Sequence, residues 1–360
     1  MIALNSPLKP DLKKLHAYLE KINQNGWFTN FGPLHDELTD KLQDYLGVKN
    51  LLLVSNGTIA LQLAGRALGV DNIVTTPFSF VATTSAFQWQ KDTLSFADID
   101  RQSYNLCPNA VSRALEQDPS LDAIVATHVY GNPCDVENFE SLSKERNVKV
   151  IYDACHTFGV KVGDQSVLNY GDASTLSFHA TKVFHTVEGG AVVFKDKQDF
   201  EIAKHMINFG INPGKGIVET GINGKLNEYQ AAVGLVNLER MDTVLQHRAE
   251  LFSQYVTSLK DVVELPVWHT KANYNGSYMP IKLKNSQQAE RLISKLADSN
   301  IQSRAYFSPA LNTVFTECKD YGAPNTAAVT DGILCLPLHV DMTTQNIDKV
   351  VGKIKDSGMV

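Results

Sequence analysis

Apolar residues recur at helical spacing over residues 11–22 (Leu12, Leu15, Tyr18, Leu19, Ile22), which predicts a surface helix. Residues 26–33, Gly-Trp-Phe-Thr-Asn-Phe-Gly-Pro, break it, and a second helix is expected at about 35–46. From residue 50 the pattern changes. Short continuous apolar runs bounded by turn residues now alternate with helix-like segments. Strands are expected at 50–54, 73–76, 93–97, 123–127 and 148–152, with helices from 59 and over 80–90, 108–116 and 136–146. Two further buried strands read at 173–178 and 191–194. The order implies an α/β fold with a mainly parallel seven-stranded sheet and helices on both faces.

Beyond residue 194 a polar helix is expected at about 199–209, then a Gly-rich segment over 210–224. A long helix then opens near Leu226 and runs to about Leu259, and the domain boundary is placed near its middle. Residues 1–240 form the large domain in this reading. Residues 241–360 form a smaller α+β domain, with strands at 277–283 and 333–336 and helices at 287–297 and 346–354. No internal repeat or low-complexity segment interrupts the chain.

Composition narrows the function. A chain of 360 residues with 43% hydrophobic and 20% charged residues is ordinary for a soluble globular protein. The net charge is −6, the pI about 5.9, and no long basic run suggests a nucleic-acid partner. No apolar stretch is long enough to span a bilayer, and charged residues follow the N-terminus too soon for a signal peptide. Five cysteines, an odd number without a Cys-x-x-Cys pair, read as reduced thiols of a cytoplasmic protein. His205, His247 and His269 have no partner pattern, so no metal is expected.

Three features fall beyond the carboxyl ends of predicted strands, where α/β sheets bind ligands. Ser55-Asn56-Gly57-Thr58 joins a strand to a helix, the arrangement that aims backbone N–H groups at an anion, although an ordinary N-cap looks the same. Asp153-Ala154-Cys155-His156 follows a second strand, and this acid too could be a helix N-cap. Lys182 follows a third. Such a lysine can form a Schiff base with an aldehyde cofactor once its pKa is lowered by burial and neighbouring positive charge. An ionised aspartate can hold a protonated pyridine nitrogen, a helix N-terminus a phosphate, and Phe80 can cover a ring. Pyridoxal 5′-phosphate needs those four parts. The loop at 26–33 reads either as a binding loop or as one packed onto the core. His128 with Tyr130 reads either as a ligand contact or as structural, and Cys155 as a small buried filler.

The motifs Gly26 to Pro33, Ser55 to Thr58, Asp153 to Gly159, Ser177-Phe178-His179-Ala180-Thr181-Lys182, Glu188-Gly189-Gly190, Gly221 to Glu228 and Leu336 to His339 make the chain resemble the DegT/DnrJ/EryC1/StrS sugar aminotransferases. These are fold-type I pyridoxal-phosphate enzymes that act on nucleotide-linked keto sugars. The resemblance implies that Lys182 carries the cofactor and shuttles the proton. It implies that Asp153 holds the ring nitrogen, His156 lies by the ring's phenolic oxygen, Gly57, Thr58 and Ser177 bind the phosphate, and Phe80 stacks on the ring. Asn223 would reach the phosphate of a second subunit, making an obligate homodimer. Phe28, Thr29, His179, Lys215 and Lys225 would face the sugar nucleotide, on dTDP or UDP. Lys225 stands where many relatives have arginine, which removes a bidentate fork from the expected diphosphate contact. L-glutamate would donate the amine, with a dTDP-linked 4-keto-6-deoxyhexose the expected acceptor and the 3-keto isomer the alternative. Some relatives with histidine at the lysine position are dehydratases, and a non-catalytic relative is a further possibility. Lysine at 182 argues for amino transfer.

Overall fold

The computed structural model describes residues 1–358. The chain opens with helices α1 (Leu12–Asn25) and α2 (Pro33–Leu46). Asp11 caps α1 by accepting from the N–H groups of Lys13 and Lys14. The α2 N-terminus has no local cap. The buried carboxylate of Glu228, far away in sequence, accepts from the N–H groups of Leu34 and His35 at 2.9 and 2.8 Å. Gly32 makes room for it, since a Cβ there would lie 2.6 Å from Glu228 Cδ.

The alternation then runs as the pattern predicts. It comprises β1 (Leu51–Val54), α3 (Gly57–Leu68), β2 (Asn72–Thr75), α4 (Val81–Trp89), β3 (Thr93–Phe96), α5 (Pro108–Gln117), β4 (Ala123–Thr127), α6 (Val136–Arg146) and β5 (Lys149–Asp153). A small hairpin follows, β6 (Lys161–Val162) with β7 (Gln165–Ser166), then β8 (Ala173–Ser177) and β9 (Gly190–Phe194). Next come α7 (Lys197–Met206) and an exposed hairpin, β10 (Ile211–Asn212) with β11 (Gly216–Ile217).

The expected single helix over 226–259 is two helices, α8 (Glu228–Leu238) and α9 (Met241–Leu259). At Arg240 the backbone turns to φ −106°, ψ 0°, and its guanidinium holds the carbonyl of Lys9. The sequence has no Gly or Pro there to announce the break. The remainder supplies β12 (Met279–Lys282), α10 (Ser286–Asp298), β13 (Lys319–Asp320), α11 (Pro324–Thr330), β14 (Ile333–Leu336) and α12 (Thr344–Lys355).

The main sheet runs β1-β9-β8-β5-β4-β2-β3-β13. It has eight strands where seven are expected, because the two-residue β13 from the C-terminal part pairs in parallel with β3. Only β9 runs against the rest, since no crossover helix separates it from β8. Alternate residues serve opposite faces. Leu51, Leu53, Val150 and Tyr152 pack with α1, α2, α5, α6 and α8, while Leu52, Val54 and Ile151 pack under α3, α4 and α7. A separate core joins α9, α10 and α12 to the β12–β14 pair. A small aromatic cluster, Phe78, Tyr104, Tyr130 and Phe307, bridges the two parts beneath the sheet's carboxyl edge. No helix among the described residues is long and apolar enough to cross a membrane.

Candidate active site

The parallel strands end around one cavity of about 380 Å³. Gly57 and Thr58 beyond β1, Phe80 beyond β2, Asp153 and His156 at the end of β5, Ser177 at the end of β8 and His179 and Lys182 beyond it all line it. Eight of the candidates read from the sequence therefore line one cavity.

A candidate anion seat lies at the start of α3. Asn56 is the N-cap, and its side chain accepts from Ile59 N–H at 2.9 Å. Gly57 and Thr58 thus form the first turn of the helix, whose amides have no intrahelical partner and point out of the N-terminus. A Cβ on Gly57 would lie 2.8 Å from Ser177 Cβ, so glycine is what lets the turn approach that hydroxyl. The two readings of this stretch are not exclusive, because the cap is real and is what opens the seat.

Asp153 is buried. Its Oδ2 accepts from Thr83 Oγ1 at 2.6 Å, and Oδ1 accepts from Cys155 N–H at 3.2 Å. It caps no helix. His156 Nδ1 accepts from Tyr130 N–H at 3.3 Å, which assigns the neutral ring's proton to Nε2. Burial pushes this imidazole well below its ordinary pKa, with Lys182 and then His128 adding to the effect. His156 is therefore a neutral donor.

Lys182 sits in the irregular connection between β8 and β9. Its N–H donates to His179 O at 2.8 Å, and the segment is pinned by Asn5 Nδ2 donating to Thr181 O and by His185. Burial pulls the Lys182 amine down. Tyr278, Cys155, Asp153 and Tyr306 act the other way, and the net displacement is upward. The lowered value expected from the sequence is thus reversed in the cofactor-free chain. The expectation assumed a cation nearby, but the groups around the amine are an acid, a thiol and two phenols.

Several lining residues carry no sequence signal. Tyr278, Arg304, Tyr306 and Phe307 come from the C-terminal third of the chain. Tyr278 packs edge-on to His156 with centroids 4.8 Å apart. Arg304 donates to the Tyr306 hydroxyl at 2.9 Å and lies over that ring. Cys155 lines the cavity and is not the core filler expected of it, and burial raises its thiol pKa far above the ordinary value.

Five candidates lie outside this cavity. Phe28 and Thr29 are exposed, with Phe28 stacked on Tyr229 at 6.2 Å. The loop at 26–33 therefore presents Trp27 and Phe28 to solvent. Asn223 is exposed and Lys215 is at the tip of the β10–β11 hairpin. Lys225 is buried, bonded to Asn208 Oδ1 at 3.0 Å and set over the Phe209 ring. His128 is structural: fully buried, stacked on Tyr152, it accepts from Cys134 N–H, and burial holds its pKa down to about 3.

Unpaired helix-terminal amides beside a hydroxyl, a buried carboxylate with hydrogen bonds on both oxygens, a neutral imidazole donor and a buried amine fit the phosphate, ring nitrogen, phenolic oxygen and aldehyde of pyridoxal 5′-phosphate. When bound, the cofactor supplies an electron sink for breaking bonds at an amine-bearing carbon.

The profile of the DegT/DnrJ/EryC1/StrS aminotransferase family matches residues 11–355. A dTDP-4-amino-4,6-dideoxy-D-glucose transaminase of Shigella dysenteriae is 39% identical over 364 residues, covering 99% of this chain and 98% of that protein. An Escherichia coli protein of the same name is 34% identical, covering 97% and 96%. Among solved structures, DesI in the presence of its TDP-sugar product superposes with a TM-score of 0.93 at 27% identity, covering 99% of this chain and 92% of that one. The chain belongs to the DegT/DnrJ/EryC1/StrS family and is a pyridoxal-phosphate-dependent aminotransferase of the sugar nucleotide type.

Proposed function

We propose that the chain moves the amino group of L-glutamate to C4 of dTDP-4-keto-6-deoxy-D-glucose, releasing 2-oxoglutarate and dTDP-4-amino-4,6-dideoxy-D-glucose. The observation that carries this reading is near-full-length similarity to two transaminases of that name, combined with Lys182 and Asp153 lining one cavity.

Each residue has a stated task. Lys182 would hold the cofactor through its amine, and the same amine would move the proton at the substrate carbon. Asp153 would pair with the ring nitrogen. His156 donates from Nε2 to the ring oxygen, and Phe80 covers the ring face. Gly57, Thr58 and Ser177 seat the phosphate. Arg304 is without an acidic partner among the described residues and is held on Tyr306, so it is available to an anionic substrate group.

The working unit is a homodimer. In support, Trp27, Phe28, Phe209, Ile222 and Tyr229 are exposed large apolar side chains, and Phe28 stacks on Tyr229. Asn223 stands beside Ile222 and serves the partner's phosphate seat, while Phe28, Thr29, Lys215 and Lys225 face the partner's sugar nucleotide. His179 lines its own chain's cavity and contacts the sugar there. Residues 1–240 carry the cofactor and residues 241–360 close over it. The protein works in the cytoplasm on precursors of a surface glycan such as an O-antigen.

A panel of dTDP- and UDP-linked 3-keto and 4-keto sugars, each incubated with glutamate, tests the assignment by NMR of the product. The expected result is amination of the dTDP-4-keto sugar. Amination at C3, or of UDP-sugars alone, overturns it.

A further inference from the structure

Asp153 ends a line of three hydroxyl groups. Thr83 Oγ1 donates to Asp153 Oδ2 at 2.6 Å. Ser79 Oγ lies 2.8 Å from Thr83 Oγ1, and Thr127 Oγ1 donates to Ser79 Oγ at 3.1 Å. Each hydroxyl has one hydrogen. Thr83 spends its own on the carboxylate, so Ser79 must donate to Thr83 and Thr127 to Ser79. The line therefore has one direction, with every hydrogen turned towards Asp153. All four side chains are buried, with relative exposures of 0% at Thr83, 2% at Ser79, 1% at Thr127 and 5% at Asp153. Water does not compete there, and aligned donors polarise one another.

The same residues hold a second part of the site. Ser79 and Thr83 bracket Phe80, the N-cap of α4, whose first turn has no side-chain cap. The N–H of Thr83 donates to Phe80 O at 3.1 Å. Phe80 itself is 53% exposed and has little packing to locate it. The line of hydroxyls ties the start of α4 to β4 and β5, where Thr127 and Asp153 are register partners at the strand ends, while Phe78 just before it is held in the aromatic cluster.

We propose that Thr127, Ser79 and Thr83 form a positioning relay that serves the ring-nitrogen anchor and the ring cover together. It keeps the Asp153 carboxyl group aimed, and it sets the gap between that group and Phe80. This rests on the reading of Asp153 as the ring-nitrogen partner. Thr127 lies behind the cavity, Ser79 and Thr83 are at its lining, and the line acts through Asp153 and Phe80.

The test compares Thr83→Val, which keeps the shape, with Thr83→Ser, which keeps the hydroxyl. Pyridoxal 5′-phosphate is titrated into the cofactor-free full-length protein, and binding is read by absorbance and by induced circular dichroism of the bound cofactor band. Loss of one hydrogen bond to a buried charge is expected to weaken cofactor binding about tenfold in Thr83→Val and to reduce the induced signal. Thr83→Ser is expected to stay within about twofold of the original protein. A packing role gives the reverse order, with valine tolerated and serine harmful, and that result overturns the relay. Ser79→Ala, one step further from the carboxylate, should show the Thr83→Val defect in weaker form, and it keeps the test open if Thr83→Val does not fold. Asp153→Asn separates the two layers. If it binds cofactor as well as the original protein, the reading of Asp153 fails and the relay with it. If it is severely impaired while Thr83→Val and Ser79→Ala are silent, only the relay fails.

Discussion

Gly57 and Ser177 face each other across the anion seat with no room for a methyl group. Gly57→Ala is therefore expected to fold but to bind the cofactor roughly tenfold more weakly, because the first turn of α3 must move back from Ser177. Equilibrium titration of the cofactor checks this, and unchanged affinity would remove the seat from the account. Lys182, Asp153 and Gly57 are legible in the sequence because each stands just beyond a predicted strand, where the alternation of buried runs and turns already points to ligands, whereas Ser177 and His156 enter through the family resemblance. Tyr278, Arg304, Tyr306 and Phe307 are not legible. They reach the same cavity from another core, by tertiary packing that leaves no local spacing pattern. The pair Ser79 and Thr83 does have a local signal, two small hydroxyl residues four apart around an aromatic residue. Only the position of Asp153 in space gives that spacing a meaning.

At the scale of elements, Glu228 shows how a motif residue can be structural. It lies in the segment that carries the family resemblance, yet its carboxylate is consumed in capping α2 and stays away from the cavity. Glu228→Ala should cost about 2 kcal/mol in urea unfolding, from two orphaned helix-terminal N–H groups and a lost charge-assisted cap. Cofactor affinity of the folded protein should change little. A stability within error of the original would contradict the capping role. Element order and type read well from hydrophobic period, because the strands of the main sheet are buried on both faces and the helices are one-sided. The short hairpins β6–β7 and β10–β11 and helix α11 did not read, nor did two features of the main framework. The bend at Glu239–Arg240 uses residues with ordinary helix propensity, and the chain turns there because α8 packs on α1 and α2 while α9 belongs to the C-terminal core. Strand β13 has two residues, too few for any period to show.

For the whole molecule, five histidines are held neutral by burial: His35, His128, His156, His185 and His339 all lie below their ordinary pKa. The unfolded chain binds protons at these sites below about pH 6.5, and the folded chain does not. Their contribution is fully present above that pH and is lost as pH falls towards the lowered folded values. The thermal midpoint of the cofactor-free protein should therefore drop by several degrees between pH 7.5 and 5.5. A flat profile would mean that these rings are charged in the folded state. The most direct test of the central claim, that Lys182 serves a cavity which moves nitrogen onto C4 of a nucleotide-linked sugar, is a labelling experiment. The holoenzyme and its Lys182→Ala variant are each given ¹⁵N-glutamate and dTDP-4-keto-6-deoxy-D-glucose, and the sugar product is followed by ¹⁵N-resolved NMR. The expected result is ¹⁵N bonded to C4 with the original protein and no labelled sugar with the variant. Label at another carbon, or undiminished labelling by Lys182→Ala, would contradict it.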